Sequence, residues 1–376
     1  MIYLDNAATT NTDKVILDSY YNLVNKMFMN TSSLHAGGVE SARLLQLARE
    51  QIGDLFKVNS SEVIFTSGAT ESNNLAIKGV AFKYKNRGKH LITTAVEHPS
   101  VLNTFKQLRD EFGFDLTILP VNANGTLEPN TLKANMRDDT ILVSIMAVNN
   151  EVGSINDLSS LADIVHSNPK TFFHSDTTQS IGKMDIDYSK IDLFVLSSHK
   201  LYGLKGSGVL IKKKNVELMP LLCGGGQEYN YRSGTNDFQK EVILAKTLRL
   251  ALEEKQKNYD HAVELFDYAF SHLSKMKNIS INSSKGQSPF ILNFSLLENK
   301  SSVVVEALSK EGIMVSTTSA CSSKKEPHSL VLEAMGKSPR EYSNSIRISF
   351  GKYNTKEEID IFISTLDKIL HDVRTV

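Results

Sequence analysis

The sequence predicts an α/β fold, in which a large, doubly wound and mostly parallel sheet is followed by a smaller α+β domain. Short runs rich in Val, Ile, Leu and Phe alternate with helical patterns through the first two thirds of the chain. Several of these runs are apolar at consecutive positions, which is typical of parallel strands covered by helices on both faces. From about Phe238 the pattern changes to a long helical stretch and then to shorter strands.

The predicted strands of the large sheet are short apolar runs spaced along the first two thirds of the chain. They cover residues 63–65, 91–95, 116–119, 141–147, 171–174, 193–196 and 208–211. Helical patterns lie between them, as at residues 45–56, where Leu, Ala, Ile and Phe recur at helical spacing, and at residues 158–166. This alternation predicts successive strand–helix units, whose strands run parallel.

The C-terminal third predicts the smaller α+β domain. After the long helical stretch, short strands are expected at residues 290–294 and 345–349. A final helix is predicted to begin after Thr355, because Glu358 stands three residues later and completes a capping box. We therefore expect a large domain over residues 15–245 and a small domain formed by residues 1–14 together with residues 246–376.

The composition excludes several classes of protein. The chain has 376 residues, with 42 Lys and Arg against 42 Asp and Glu, so a generally basic nucleic-acid binder is excluded, although a local basic patch is not. The first residues lack the pattern of a secretory signal, and the longest mostly apolar run, residues 141–148, is too short to span a bilayer. Two distant cysteines predict a reducing, cytoplasmic location. No His, Cys and carboxylate cluster has metal-ligand spacing, so no metal is expected.

A lysine follows one of the predicted strands at the position where open α/β sheets bind ligands. This residue is Lys200, in Ser197-Ser198-His199-Lys200, and Asp176 follows the preceding strand. A lysine that can form an imine with an aldehyde, beside a carboxylate that keeps a ring nitrogen protonated, is the pair that pyridoxal phosphate (PLP) requires. Each residue has a simpler interpretation, because Lys200 could be a solvated loop residue and Asp176 a helix N-cap.

Two further segments follow predicted strands directly, as Lys200 and Asp176 do. The first, Thr66-Ser67-Gly68-Ala69-Thr70-Glu71-Ser72-Asn73, begins a helix with small hydroxyl residues, where backbone N–H groups and the helix dipole favour an anion such as phosphate. The second places His98 before Pro99, which is typical of a helix start. A histidine there could stack on a flat ring or move protons, although a lone histidine is more often structural. Because all four signals lie at strand ends, together they indicate a PLP site.

In these motifs the chain resembles the NifS/IscS-type cysteine desulfurases, which are PLP enzymes of the class V aminotransferase family and fold type I. The resemblance extends from the first residues nearly to the last and implies the PLP-dependent transferase fold. The matching motifs include Tyr3-Leu4-Asp5-Asn6-Ala7-Ala8, Asn149-Asn150-Glu151-Val152-Gly153, Asp176-Thr177-Thr178-Gln179-Ser180, Gly224-Gly225-Gly226-Gln227-Glu228, Arg232-Ser233-Gly234-Thr235, Ser319-Ala320-Cys321 and Ile346-Arg347-Ile348-Ser349.

The resemblance implies a role for each matching residue. Lys200 would bind PLP covalently, Asp176 would pair with the pyridine nitrogen, Gln179 would face the phenolic oxygen, and His98 would stack on the ring. The phosphate ligands would be Thr70 with its neighbour Ala69, Ser197 and His199, together with Thr235 from the other subunit of a homodimer. The substrate carboxylate would be held by Asn149 and Arg347, since a guanidinium binds a carboxylate through two hydrogen bonds.

Cys321 is the candidate nucleophile. Its neighbours from Ser316 to Lys325 include no large apolar residue, so the segment is expected to form an exposed loop. The two following lysines favour the reactive thiolate. The resemblance then implies that Cys321 takes sulfur from L-cysteine as a persulfide while L-alanine is released. Cys223, which follows two leucines, is predicted to be a packing thiol.

Other functions remain open at the level of sequence. Selenocysteine lyases share this fold and cofactor, an aminotransferase would need a 2-oxo acid, and a PLP-binding scaffold without turnover would conserve only the cofactor site. A desulfurase would pass sulfur to an acceptor protein, either an iron–sulfur scaffold or an enzyme that thiolates tRNA or a cofactor. No direct contact with nucleic acid is expected, because the chain carries no net charge.

Overall fold

The computed structural model describes residues 1–317 and 328–372 of the chain. In the first two thirds, the strands are β1 (Ile2–Tyr3), β2 (Val63–Thr66), β3 (His90–Thr94), β4 (Asp115–Leu119), β5 (Thr140–Ser144), β6 (Phe172–Asp176), β7 (Leu193–Ser197) and β8 (Gly208–Lys212). The helices there are α1 (Lys14–Lys26), α2 (Ala36–Phe56), α3 (Ala69–Tyr84), α4 (Pro99–Phe112), α5 (Pro129–Asn135) and α6 (Leu158–Val165). Each strand predicted for the large sheet is confirmed.

In the rest of the chain, the strands are β9 (Ile279–Ile281), β10 (Ile291–Leu296), β11 (Ile313–Met314), β12 (Ser316–Thr317) and β13 (Ser345–Ser349). The helices are α7 (Phe238–Glu253), α8 (Lys255–Leu273), α9 (Ser301–Lys310), α10 (Leu330–Ala334), α11 (Pro339–Ser343) and α12 (Lys356–Asp372). The long helical stretch expected after Phe238 is therefore two successive helices that meet at Glu254.

The large sheet has the strand order β2-β8-β7-β6-β5-β3-β4. Strands β3 to β7 pair in parallel, while β8 runs antiparallel to β2 and β7, so the mostly parallel sheet is confirmed. Successive residues of a strand enter different cores, as with Leu142 and Val143 in β5. Because side chains alternate across a strand, these two cores lie on opposite faces, and this explains the unbroken apolar runs in the sequence.

The small sheet is antiparallel, with the order β12-β13-β10-β9, and β1 pairs in parallel with β11. Helix α12 buries Ile359, Phe362 and Leu366 against this part of the protein. The predicted capping box of α12 is confirmed, because the N–H of Glu358 donates to Oγ1 of Thr355 and the N–H of Thr355 donates to the Glu358 carboxylate, both at 3.3 Å. The N-terminal strand thus lies with β11 on the small sheet's side of the molecule.

The predicted domain boundary at residue 245 falls inside a continuous helix. Ile243 and Leu248 of α7 are buried, and α7 packs against α1 and α2 of the large part. The apolar core of the small part begins at Leu265, in α8. Helix α7 therefore packs with the large part, and the division of the chain into two domains stays a prediction.

Parallel pairing brings the carboxyl ends of β3, β5, β6 and β7 to one edge of the large sheet. The loops that follow these strands carry residues 95–98, 145–150, 177–179 and 198–200. This edge is where open α/β sheets bind ligands. In residues 1–317 and 328–372, no helix is both long and apolar enough to cross a membrane.

Candidate active site

A cleft opens at this edge of the large sheet, and its empty space is about 1230 Å³ with the mouth included. The structure brings most of the predicted site residues into its wall. They are Ala69, Thr70, His98, Asp176, Gln179, Ser197, His199, Lys200 and Arg347. These residues come from strand ends, helix starts and loops that are far apart in the chain. The large sheet gathers most of them, and Arg347 comes from β13 of the small sheet.

Lys200 lies in a single helical turn, Ser198–Lys200, directly after β7. Its Nζ donates to the carbonyl oxygens of Ala7 and Ala8, at 2.5 and 2.7 Å. The N-terminal segment therefore lies against the amine, and the side chain is held at the cleft. Tyr202, two residues later, adopts a left-handed conformation with φ of 62°.

Asp176 is the last residue of β6 and is almost completely buried. Its Oδ2 accepts a hydrogen bond from Nδ2 of Asn73 at 2.8 Å, and its Oδ1 accepts one from the Thr178 N–H at 3.0 Å. A carboxylate has about four acceptor sites, so each oxygen can still accept a hydrogen bond from a ligand in the cleft. These remaining acceptor sites fit a protonated pyridine nitrogen, which donates.

The start of α3 forms a concave surface lined by backbone N–H groups. Gly68 caps the helix with φ of 149°, a conformation that glycine adopts and other residues rarely do. A Cβ on Gly208 of β8 would lie 2.5 Å from Cα of Gly68, so the close approach of the two backbones requires glycine. The first-turn N–H groups have no partner within the helix, and the hydroxyls of Thr70 and Ser197 line the same cleft. This set of donors fits a phosphate group.

His98 is the N-cap of α4, and its Nδ1 accepts the N–H of Ser100 at 3.2 Å. The Ser100 hydroxyl lies 2.8 Å from the same nitrogen. Burial lowers the pKa of His98, as does the positive charge of Lys200, while Asp176 acts in the opposite direction. The imidazole is therefore neutral near pH 7, and its ring lies in the wall of the cleft.

Gln179 and His199 are held by other side chains of the site. Nε2 of Gln179 donates to the Ala7 carbonyl at 2.9 Å, and its Oε1 accepts from Nζ of Lys183 at 2.8 Å. Nδ1 of His199 lies 3.1 Å from Oγ1 of Thr9. Burial and then the positive charge of Lys200 lower the pKa of His199 to about 4. A phosphate ligand at this position would therefore meet a neutral imidazole.

The two residues predicted to hold a substrate carboxylate are placed differently. Arg347 of β13 is buried and lines the cleft. Asn149 does not line it, since Nδ2 donates to the Val96 carbonyl at 3.0 Å and Oδ1 accepts the N–H groups of Glu151 and Val152. The structure thus uses Asn149 to shape the turn after β5, and Asn150 is the asparagine that reaches the cleft. A contact of Asn149 with the substrate carboxylate stays a prediction.

Thr235 and Cys223 do not line the cleft. Thr235 is exposed and does not line this chain's own cleft, as expected of a residue that would reach a second subunit. Cys321 lies outside the described residues. Cys223 is exposed, so the prediction of a packing thiol is wrong, because the leucines before it do not carry it into the core.

Two residues of the site were missed by sequence reasoning. Asn73, which contacts Asp176, stands in the helix start that was singled out for phosphate binding, but nothing local indicates its partner. Lys183 contacts Gln179 from within the turns that follow β6, which form no helix, so no local pattern indicated this contact.

Comparison with known proteins identifies the family. The aminotransferase class-V family matches residues 2–362. A NifS/IcsS protein homologue of Lactobacillus delbrueckii subsp. bulgaricus is 41% identical, over 98% of this chain and 97% of its own. The cysteine desulfurase IscS of Dictyoglomus turgidum is 38% identical, over 100% of this chain and 96% of its own.

Solved structures agree with this assignment. A NifS-like protein superposes with a TM-score of 0.93 at 35% identity, covering 99% of this chain and all (100%) of its own. SspA, solved in complex with cysteine, superposes with a TM-score of 0.82 at 34% identity, covering 94% of this chain and 100% of its own. The chain therefore belongs to the NifS/IscS-type cysteine desulfurases, PLP-dependent enzymes of the class-V aminotransferase family and fold type I.

Proposed function

We propose that the protein removes sulfur from L-cysteine, releases L-alanine and carries the sulfur as a persulfide on Cys321. The observation that carries the proposal is the convergence of Lys200, Asp176 and the N-terminus of α3 on one cleft. This arrangement suits the aldehyde, the ring nitrogen and the phosphate of PLP. The complex of the similar SspA with cysteine supports the choice of substrate.

The residues around the cleft have separate tasks in this proposal. Lys200 anchors PLP, Asp176 accepts from its ring nitrogen, and Thr70, Ser197 and His199 surround its phosphate, with Ala69 presenting a backbone N–H. Gln179 faces the phenolic oxygen. When bound, PLP withdraws electrons from the α-carbon of an amino acid. Arg347 binds the substrate carboxylate.

Proton movements are assigned to two side chains. The amine of Lys200, at Nζ, takes the proton from the α-carbon, because it is the basic group that anchors the reacting centre. His98 donates at Nε2, since its Nδ1 accepts from Ser100. The thiolate of Cys321 attacks the substrate sulfur: an S–S bond forms and the substrate's Cβ–S bond breaks. The electron pair of that bond passes to Cβ, which takes a proton from Nε2 of His98 and becomes the methyl group of alanine, while the proton held by Lys200 returns to the α-carbon.

We further propose that the protein acts as a homodimer in the cytoplasm and passes its sulfur to an acceptor protein. The exposed position of Thr235 supports a dimer, because its hydroxyl is then available to the phosphate site of the partner. The acceptor would be an iron–sulfur scaffold or an enzyme that thiolates tRNA or a cofactor. Light scattering with column separation tests whether the protein is a dimer. The acceptor is tested by loading the protein with labelled sulfur and measuring its transfer to each class of acceptor.

The function is tested with the purified protein saturated with PLP. We expect a visible absorption band that changes on addition of L-cysteine, together with release of alanine and a persulfide on Cys321 detected by mass spectrometry. Comparing rates on L-cysteine and L-selenocysteine separates a desulfurase from a selenocysteine lyase. A visible band without alanine release from either substrate would overturn the proposed activity and favour a PLP-binding scaffold.

A further inference from the structure

Asn73 joins two residues of the site that act on different parts of the cofactor. It lies in the first turns of α3 and its side chain is completely buried. Nδ2 donates to Oδ2 of Asp176 at 2.8 Å and to Oγ of Ser100 at 2.9 Å. One amide nitrogen therefore gives its two hydrogens to two different elements, the end of β6 and the first turn of α4. Helix α4 follows β3, which is not a neighbour of β6 in the sheet.

The orientation of the Asn73 amide follows from its acceptor. An ionised carboxylate can only accept hydrogen bonds, so Asp176 requires the NH₂ group and not the carbonyl oxygen. The other end of the amide, Oδ1, is buried and finds no partner in the part of the chain that the structure describes. An unpaired buried carbonyl is unfavourable. The amide is thus kept in an orientation that serves Asp176 and Ser100 at a cost to its own hydrogen bonding.

The direction of the remaining hydrogen bonds follows in turn. The Ser100 hydroxyl accepts from Asn73, so its single hydrogen is available for Nδ1 of His98, 2.8 Å away. The backbone N–H of Ser100 also points to this nitrogen. Because Nδ1 faces two donors, it carries no proton, and the imidazole proton is on Nε2. Protonation of Nδ1 would set its N–H against these donors, in agreement with the lowered pKa of His98.

We propose that Asn73 is a positioning residue, which couples Asp176 to His98 and fixes His98 as the tautomer that carries its proton on Nε2. The proposal rests on the proposed function for its meaning in catalysis, since Nε2 is the atom that would donate there. Its structural content does not depend on turnover. Asn73 orients the Asp176 carboxylate, which would accept a hydrogen bond from the pyridine nitrogen of PLP. Through Ser100 it also orients the His98 imidazole, which would stack on the PLP ring.

The experiment compares three variants in the apoprotein and after addition of PLP. Asn73→Ala removes both hydrogen bonds, Ser100→Ala removes only the link to His98, and Asn103→Ala is a control at an exposed asparagine of α4. Asn73→Ser, which keeps one donor, is used if Asn73→Ala does not fold, as judged by thermal unfolding of the apoprotein. The readouts are the dissociation constant for PLP and the tautomer of His98, the latter from nitrogen chemical shifts in ¹⁵N-histidine protein, assigned with a His98→Gln sample.

Asn73→Ala should weaken PLP binding by about tenfold, since a hydrogen bond to a charged group is lost. It should also give a mixture of His98 tautomers. Ser100→Ala should alter the tautomer and leave PLP affinity close to that of the parent protein. If Asn73→Ala, or Asn73→Ser in its place, matches the Asn103→Ala control in both readouts, the inference is overturned. Neither readout requires desulfurase activity, so failure of the proposed function would show separately, as absence of alanine release from the parent protein.

Discussion

Nη2 of Arg347 donates to Oδ1 of Asp5 at 2.8 Å, although the two residues are 342 positions apart in the chain. Nη1 donates to the Asn150 carbonyl, also at 2.8 Å, and Nε is buried without a partner among the residues that the structure describes. The protein therefore holds the guanidinium from two sides and leaves Nε–H for a ligand. A buried unpaired donor in the wall of a cleft favours an anionic ligand such as a carboxylate.

This geometry predicts the effect of Arg347→Lys. Lysine keeps the charge but lacks the planar set of donors, so it cannot contact Asp5, Asn150 and a substrate carboxylate together. We expect the KM for L-cysteine to rise by about tenfold or more, with retention of the visible PLP band. Steady-state kinetics measure it, with Arg340→Lys, an exposed arginine, as control. An unchanged KM would remove Arg347 from the substrate site.

Lys200→Ala should abolish the covalent attachment of PLP. Lys205 also lines the cleft, so Lys205→Ala is a matched control that removes a nearby lysine and should leave the attachment intact. Each protein is incubated with PLP, reduced with borohydride and analysed by peptide mass spectrometry. The adduct should appear on Lys200 in the parent protein and in Lys205→Ala, and a reduced adduct in Lys200→Ala would contradict the assignment.

Cys321→Ala should lower alanine formation from L-cysteine by at least about 100-fold, because the nucleophile is lost. The visible band of PLP should persist, since this residue is not part of the proposed cofactor site. Cys223→Ala is the control, as Cys223 is the other cysteine of the chain and is exposed. Normal turnover by Cys321→Ala, or loss of turnover in Cys223→Ala alone, would contradict the assignment of Cys321 as the nucleophile.

The buried carboxyl of Glu97 should make the free energy of unfolding depend on pH. Burial raises its pKa from 4.5 to about 8, so the folded protein holds a proton there that the unfolded chain releases. The stability gained from this proton is complete below pH 4.5 and declines as the pH rises towards 8, by about 1.4 kcal/mol per unit. Glu97→Gln, which stays neutral, should become more stable relative to the parent protein as the pH rises.

The measurement is urea unfolding of the apoproteins at about pH 5.5 and about pH 7.5, conditions that lie inside this window. The difference between Glu97→Gln and the parent protein should grow by roughly 2–3 kcal/mol between the two conditions. Glu111→Gln, at an exposed position of α4, should give the same difference at both. A constant difference for Glu97→Gln would show that the Glu97 carboxyl is not protonated in the folded protein.

Breaking the buried Arg49–Glu228 ion pair should greatly lower the stability of the protein. Arg49 of α2 contacts Glu228 through two N–O distances of 2.7 Å, and Glu228 also accepts the N–H of Phe65 at 2.8 Å. Glu228→Ala should lower the free energy of unfolding by about 3–5 kcal/mol, because the arginine is left buried without its partner. In the exposed Arg43–Glu40 pair, Glu40→Ala should have no measurable effect. Equal effects of both variants on urea unfolding would contradict this expectation.

Local sequence patterns were sufficient for the strands and for the position of the lysine. The apolar runs of the large sheet and the capping box at Thr355 depend on residues close together in the chain, and the structure confirms them. The packing of α7 could not be found this way, because it depends on which core receives Leu244 and Leu248. The partners of Asn149 could not be found this way either, since they are determined by the turn that it forms.

The sequence by itself determined the α/β class, the strand ends that carry Lys200 and Asp176, and the family. These features depend on periodicity and on motifs of a few residues, which are read along the chain. The tertiary structure alone decided that Asn73 contacts Asp176, that Asp5 contacts Arg347, and that the carbonyl of Ala7 lies at the amine of Lys200. Such contacts join residues far apart in the chain, and they exist only after strand pairing and core packing have brought the segments together.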